Sequence, residues 1–164
     1  MKGANAHWAA VAALLCWAAP LAAHDGAPSA PAAPTLSPSA RGAAETVDSF
    51  HAALRRGDTQ AAAAVLADDA LIFEEGGAER SKAEYAAHHL PADAAFSQAV
   101  ESAVARRSGG SAGELAWIAS EGRMTGSYKG RAIDQMTAET MVLRRDGTAW
   151  KIVHIHWSSA AASR

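Results

Sequence analysis

The stretch ETMVLRRDGTAWKIVHIHWS, residues 139–158, predicts the last hairpin of a long antiparallel sheet. Asp146-Gly147 is its strongest turn signal, because both central residues of a type I′ turn need positive φ. Directly opposed residues of a hairpin share one sheet face. With this turn, the opposed pairs are Leu143 with Trp150, Met141 with Ile152, Glu139 with His154, and Thr137 with His156. This face begins apolar beside the turn and becomes polar farther away, which predicts a pocket lining.

The opposite face of the last strand supports a second interpretation. Val153, Ile155 and Trp157 lie beside the histidines in sequence and are apolar as well. If they form the core, His154 and His156 point to solvent. Buried polar groups without partners cost about 1–3 kcal/mol each, so a purely structural face would have no reason to bury two imidazoles and a carboxylate, which favours the pocket. The residue pattern alone leaves both orientations open.

The chain divides into an N-terminal export signal, a linker and one small domain. Residues 1–23 combine a basic start, an apolar run and small residues at the end, which is typical of a secretory signal peptide. Residues 24–44 are rich in Pro and Ala and predict a disordered linker. Residues 45–159 suffice for one domain with one core, and residues 160–164 form a tail. We therefore expect a periplasmic or secreted protein.

Cysteine content and charge narrow the range of partners. The only cysteine, Cys16, lies in the predicted signal, so the mature chain would have no disulfide. The 15 Lys and Arg residues nearly balance the 17 Asp and Glu residues and form no basic stripe, which argues against a nucleic-acid partner. No second apolar run has the length of a membrane span, so we expect no membrane contact after signal cleavage. We also expect no cofactor.

The domain is expected to begin with helices and to end in long strands. Val47, Phe50, His51 and Leu54 form the i, i+3, i+4, i+7 stripe of a half-buried helix. Helices are predicted over residues 45–56, 59–67 and 82–90. Strands are predicted over residues 70–73, 95–107, 114–125, 131–145 and 150–158. This order indicates the α+β class.

A second polar cluster precedes the long strands. Tyr85, His88 and His89 lie at i, i+3 and i+4 of the third predicted helix, so Tyr85 can share a face with either imidazole. The two histidines diverge on the helix, and an exposed helix end is the plain alternative for the pair. Glu74 and Glu75 follow the first strand and point to opposite sides. One of them is expected to face the same cavity.

Four short motifs carry a resemblance to a known family. They are WKIVHIHWS at 150–158, FEEGG at 73–77, EY at 84–85 and HHLPAD at 88–93. With the order of elements, they resemble the SnoaL-like and ketosteroid-isomerase-like branch of the nuclear transport factor 2-like superfamily. The likeness covers nearly all of residues 45–159.

The resemblance implies a cone-shaped, curved antiparallel sheet wrapped around N-terminal helices. It also implies a ligand pocket on the concave side and a homodimer formed through the outer sheet face. In that family, every second side chain of the last strand faces inward. The corresponding positions here are Trp150, Ile152, His154 and His156. The superfamily contains isomerases, dehydratases, cyclases and noncatalytic domains, so the fold alone does not define the reaction.

The leading hypothesis is a small, largely apolar ligand bound inside the cone. A weak isomerase, dehydratase or cyclase would use His154 or His156 as general base, with Glu139 fixing the tautomer and Tyr85 as a donor. The remaining expected ligand contacts are Trp117, Thr137, Met141, Trp150, Ile152, Glu74, His88 and His89.

Two further hypotheses belong to other classes. His154 and His156 stand two residues apart on one strand, and with Glu139 and His88 or His89 they could bind zinc or copper in the periplasm. Alternatively, the domain is a noncatalytic dimerisation or accessory module. Its outer face would then carry Val142, Val153, Ile155 and Trp157.

Overall fold

The computed structural model describes residues 35–162. The predicted signal peptide and most of the predicted linker lie outside the described residues. The folded part begins earlier than predicted, because a 3-10 turn at Pro38–Ala40 leads directly into the first helix at Arg41. The domain start predicted at residue 45 is therefore too late. The predicted tail at 160–164 also begins too early, since the last strand ends at Ala161.

Within residues 35–162, four α-helices lie on one side of the sheet. They are α1 (Arg41–Arg55), α2 (Thr59–Ala64), α3 (Lys82–Ala87) and α4 (Leu90–Ala99). The start of α3 is fixed as the sequence predicts, because the Ser81 hydroxyl accepts the Glu84 N–H at 3.1 Å. Among residues 35–162, no helix is both long and apolar enough to cross a membrane.

The strands form one open, six-stranded sheet in the order β2-β1-β6-β5-β4-β3. Their bounds are β1 (Leu66–Glu74), β2 (Gly77–Glu79), β3 (Val100–Ala112), β4 (Leu115–Tyr128), β5 (Arg131–Asp146) and β6 (Ala149–Ala161). The α+β class and the helix-covered sheet are confirmed. The expected all-antiparallel pairing is wrong at one place, because β1 and β6 run parallel.

Between α3 and β4, the structure differs from the predicted helix end at residue 90, the predicted strand start at residue 95 and the predicted turn between residues 107 and 114. Pro91 does not end a helix but lies in the first turn of α4, where its missing N–H is tolerated. Residues 95–99 continue this helix, so only the second part of the predicted strand belongs to β3. The predicted turn around Gly109 is strand: a Cβ there would lie 2.7 Å from Ile118 Cδ1 and 2.8 Å from the Trp117 carbonyl oxygen. Glycine therefore serves close packing here.

The register of the β5–β6 hairpin differs from the predicted one. Asp146 pairs with Ala149, so Gly147 and Thr148 form the turn, and Leu143 opposes Ile152. The next pair is Val142 with His154, which leaves Val153 as an extra residue in a β-bulge. One inserted residue turns every later side chain of the strand to the other face.

The bulge reverses the predicted orientation of the end of β6. Trp150 and Ile152 are buried as expected, but beyond the bulge Ile155 is buried instead of the histidines. Trp157 stacks on Phe50 of α1, with ring centroids 6.2 Å apart. His154 and His156 therefore lie on the outer face, where both rings contact Phe73 edge-on. The inward orientation predicted for them is wrong.

The core lies between α1 and the middle of the sheet. Its largest fully buried side chains are Phe50, Leu66, Ile72, Tyr85, Leu90, Ile118, Met141, Leu143, Ile152 and Ile155. Beyond this layer, toward the β4–β5 turn and the C-terminal end of β6, the concave face borders a cavity.

Candidate functional site

A cavity of about 1010 Å³ occupies the unfilled part of the concave face. Side chains of α1 and α4 border it on one side, and residues of all six strands border it on the other. Its apolar wall includes Leu54, Phe96, Val100 and Met124. The volume is at the upper end of the range of about 300–1,000 Å³ that is usual for ligand pockets.

A row of five side chains crosses the floor of this cavity, one from each of five neighbouring strands. Glu74 of β1 pairs with Trp157 of β6, which pairs with Glu139 of β5. Glu139 pairs with Ser120 of β4, which pairs with Arg107 of β3. All five residues line the cavity. Since strands lie about 4.8 Å apart, the backbones of Glu74 and Glu139 are about 10 Å apart, on either side of Trp157.

Glu139 is the most buried carboxylate in this row, with 9% of its surface exposed. Its Oε2 accepts a hydrogen bond from Trp157 Nε1 at 2.8 Å and lies 2.7 Å from His51 Nε2. Burial by itself would raise the pKa of Glu139, but the hydrogen bonds and charge of His51, with the Trp157 N–H and the Arg107 charge, outweigh it and lower the pKa. The buried carboxylate is therefore ionised at neutral pH.

His51 reaches the floor of the cavity from α1. Its side chain is 29% exposed and lines the cavity. Because Nε2–H faces an ionised carboxylate, the lone pair of the neutral ring is on Nδ1. Nδ1 can accept a hydrogen bond from a ligand when the ring is neutral and donate one when the ring is protonated. Glu139 thus fixes Nε2 of this histidine, whose side chain borders the cavity.

A second acidic centre lies on the other side of Trp157. Glu74 and Asp93 of α4 both line the cavity, and Asp93 Oδ2 accepts a hydrogen bond from the Tyr85 hydroxyl at 2.6 Å. Burial, followed by the charges of Asp93 and Glu75, raises the pKa of Glu74 to about 7. Burial is also the main cause of the raised pKa of Asp93. Glu74 can therefore exchange a proton near neutral pH.

Arg107 closes the β3 end of the row. Its Nη1 lies 2.6 Å from Asp48 Oδ1 on α1, and its Nε donates to the Ser120 hydroxyl at 3.2 Å. Asp48 lies three residues before His51 on the same helix, so both side chains project from adjacent positions on one helix face. The guanidinium thereby joins α1 to the sheet beside Glu139.

The structure brings several of the residues predicted from sequence to the cavity. Glu139, Thr137 and Glu74 line it. Tyr85 is fully buried behind it and contacts it through Asp93. His156 borders the cavity along its strand, but its exposed ring packs against Phe73 on the outer face.

Other predicted site residues lie elsewhere. His154 is on the outer face, where its Nδ1 lies 2.9 Å from the Leu71 carbonyl oxygen. Trp117 is also on the outer face and is 47% exposed. Met141, Trp150 and Ile152 pack in the core and do not line the cavity. His88 and His89 are exposed at the end of α3, and His89 pairs with the buried Glu79.

This placement separates the proposed metal ligands. Glu139 faces the cavity, His154 and His156 face outward, and the His88-His89 pair lies at a helix end. Within residues 35–162, no group of three or more His, Cys, Asp or Glu side chains is arranged to hold a metal ion. The metal hypothesis depended on the predicted hairpin register and fails with it.

Sequence reasoning missed His51, Asp93, Arg107 and Trp157 as site residues. His51 carried a usable signal, because an imidazole in an otherwise apolar helix stripe must find a polar partner when it is buried. Asp93 lies in the HHLPAD motif that supports the family resemblance. Arg107 gave no signal, since its partners lie 59 and 13 residues away. Trp157 was assigned to the outer face because the bulge was not foreseen.

Comparisons with known proteins agree with this architecture. Residues 43–162 match the family model for the SnoaL-like domain. A solved structure from Shewanella frigidimarina, described as a candidate ketosteroid isomerase, is 39% identical and covers 71% of this chain and 94% of its own, with a TM-score of 0.69. No curated protein matches the chain.

More distant structures share the fold alone. A ketosteroid isomerase-like protein from Erwinia carotovora is 19% identical, with a TM-score of 0.57. The match covers 77% of this chain and 100% of that chain. A candidate calcium/calmodulin-dependent protein kinase II association domain from Xanthomonas campestris is 20% identical, with a TM-score of 0.63, covering 76% and 89% of the two chains.

The fold is therefore of the nuclear transport factor 2-like class, a ligand-binding fold with some isomerase members. Within that class, the chain belongs to the SnoaL-like domain family. The resemblance inferred from the sequence motifs is confirmed.

Proposed function

We propose that this domain binds a small, largely apolar molecule with a polar oxygen group in the cavity, and transfers a proton within it as an isomerase or lyase. The observation that carries the proposal is the Glu139 carboxylate. It is buried at the cavity floor, it is paired with His51 and Trp157, and His51 remains open to the cavity. The apolar wall would hold the ligand body, and the polar row would orient its oxygen.

Glu74 and the His51–Glu139 pair would have separate roles in the reaction. In a β,γ-unsaturated ketone, the Glu74 carboxylate would take a proton from the carbon between the carbonyl and the alkene. The enolate oxygen formed in this step would be stabilised by protonated His51, which Glu139 holds in place. The Glu74 acid would return the proton to the far carbon of the alkene, giving the conjugated ketone and restoring the carboxylate. A catalytic pKa near 7 suits such a reversible transfer.

Binding of 2-naphthol, a flat apolar molecule with one hydroxyl group, tests the cavity assignment. His51→Ala removes the group expected to bond the hydroxyl, so we expect the Kd for 2-naphthol to rise about 10- to 100-fold, as for a hydroxyl buried without its hydrogen-bond partner. Fluorescence titration measures both affinities. Conversion of a β,γ-unsaturated 3-ketosteroid, followed by ultraviolet absorbance, then separates a catalyst from a binding protein.

The outer-face histidines provide the matched control. His154→Ala together with His156→Ala removes two imidazoles that contact Phe73, and we expect the Kd for 2-naphthol to change less than twofold. If this double variant loses binding while His51→Ala keeps it, the ligand does not occupy the concave cavity.

We also propose that the domain forms a homodimer through the outer sheet face. Trp117, Val142, His154 and Leu71 form one row across four strands there. Trp117 is 47% exposed, and Phe73 is exposed in the next row. An apolar face of this kind fits burial against a second copy better than contact with water. Ile155 and Trp157, predicted for this face, instead face inward.

Light scattering tests the dimer. Trp117→Asp places a charge in the centre of the proposed interface, and we expect it to convert a dimer into a monomer without loss of 2-naphthol binding. Thr148→Asp in the β5–β6 turn adds the same charge outside the face and should leave the dimer intact. A monomeric wild type would remove the proposal.

Export is proposed from the composition of residues 1–23, which supports a cleaved secretory signal. Recovery of the protein in the periplasmic or secreted fraction, with an N-terminus close to residue 24, is the expected outcome. Recovery of the uncleaved chain inside the cell would contradict it.

A further inference from the structure

We propose that Arg107 is a positioning residue that sets the geometry and charge of the His51–Glu139 pair. This inference rests on the proposed function of the pair. Arg107 need not touch the ligand for this role. It would act through Asp48 on α1 and through Ser120 on β4.

The geometric part of the argument concerns how α1 is held against the sheet. His51 comes from α1 and Glu139 from β5, so their 2.7 Å contact depends on the position of the helix over the sheet. Arg107 bonds Asp48, which lies almost one helical turn before His51. Through Nε it also bonds Ser120, the direct sheet neighbour of Glu139. One planar guanidinium therefore contacts both supports of the pair.

The electrostatic part concerns the charge of the guanidinium. The Arg107 side chain is only 21% exposed, so its charge is screened less than that of a surface arginine. It is one of the groups that lower the pKa of Glu139, after His51 and Trp157. Asp48 partly offsets this charge from α1, while Glu74 lies one strand beyond Trp157 in the same row. A lysine could supply the positive charge, but it lacks the planar guanidinium that bonds Asp48 and Ser120 in two fixed directions.

Two substitutions separate the roles of geometry and charge. Arg107→Gln removes both, and we expect the Glu139 carboxyl to titrate at higher pH and the Kd for 2-naphthol to rise about tenfold. Arg107→Lys keeps the charge, so the Glu139 titration should stay close to that of the wild type, while the affinity falls to an intermediate value. Carboxyl ¹³C NMR follows the titration without any ligand, and fluorescence follows 2-naphthol.

Arg106→Gln is the matched control. Arg106 neighbours Arg107 on β3, but it is exposed, pairs with the exposed Glu121 at 3.4 Å and does not line the cavity. Arg106→Gln removes the same positive charge from the protein as Arg107→Gln does, but away from the pair. Neither the Glu139 titration nor the affinity for 2-naphthol should therefore change. Urea unfolding of the purified full-length product confirms that each variant is folded at the pH of measurement.

The titration of the Glu139 carboxyl tests the positioning role of Arg107 without any ligand. If Arg107→Gln shifts the Glu139 titration upward and Arg106→Gln does not, the positioning role holds even when the wild type fails to bind 2-naphthol; that failure would count against the proposed function alone. If folded Arg107→Gln leaves the Glu139 titration unchanged, or if Arg106→Gln shifts it equally, the inference is overturned.

Discussion

Replacing Glu139 with alanine is expected to lower the free energy of unfolding by about 1–3 kcal/mol and to raise the Kd for 2-naphthol by no more than the 10- to 100-fold expected for His51→Ala. The Nε1–H of the half-buried Trp157 would lose its acceptor, and His51 would lose the group that fixes its tautomer. Glu139→Gln retains a carbonyl acceptor of the same shape without the charge, so its loss of stability should be smaller. Urea denaturation and fluorescence titration at neutral pH measure the two effects.

The pH dependence of stability gives the same residue a second readout. Since the pKa of Glu139 is lowered from 4.5 in the folded protein, its contribution is complete above that value and is lost as the pH falls through the lower folded pKa. Glu139→Gln should remove this part of the acid destabilisation. The exposed Glu114→Gln variant, with the same change in charge, should retain it. Identical acid profiles for wild type and Glu139→Gln would contradict a paired, ionised Glu139.

Replacing Glu74 with glutamine is expected to stabilise the domain at alkaline pH while it reduces turnover. The raised pKa means that the folded state favours protonated Glu74, so its stabilising contribution is complete below 4.5 and is lost as the pH rises through about 7. Because this side chain is only partly buried, solvent screening reduces the effect to about 1–2 kcal/mol. The stability gained by Glu74→Gln should therefore be greater at pH 8 than at pH 4.5 by about this amount.

Glu74→Gln should lower turnover, although it raises the stability of the domain. A residue that moves the proton contributes about 10²- to 10⁴-fold to the rate, so Glu74→Gln should reduce conversion of a β,γ-unsaturated 3-ketosteroid by a factor of this order. Glu101→Gln, an exposed position on β3, should change neither the pH profile nor the rate. If Glu74→Gln retains the wild-type rate, the proton is carried by another group.

Much of the architecture followed from local patterns. The turn and strand signals predicted β5 and β6 nearly to their ends, and the capping serine at 81 placed the start of α3 correctly. Glu139 and Thr137 were assigned to the concave face because the alternation of β5 continues uninterrupted to that point. These features depend on contacts between residues close in sequence or directly opposed in a hairpin.

The errors come from features without a local signature. Val153 fits a regular strand as well as it fits a bulge, so the reversal of His154, His156 and Trp157 could not be read from the pattern. The pair of His51 and Glu139 joins residues 88 positions apart, and its formation depends on how α1 lies over the sheet. Helix position is set by packing across the whole core.

The bulge at Val153 decides which side chains of β6 the cavity receives. Ile152 faces inward before the bulge, and Ile155 and Trp157 face inward after it, so deletion of Val153 would straighten the strand and leave these positions unchanged. If Val153 instead paired as a regular strand residue, both imidazoles would turn into the cavity and the indole of Trp157 would turn out to water. The aromatic floor therefore depends on one residue being left out of the ladder, and not on the identity of the side chains that follow it.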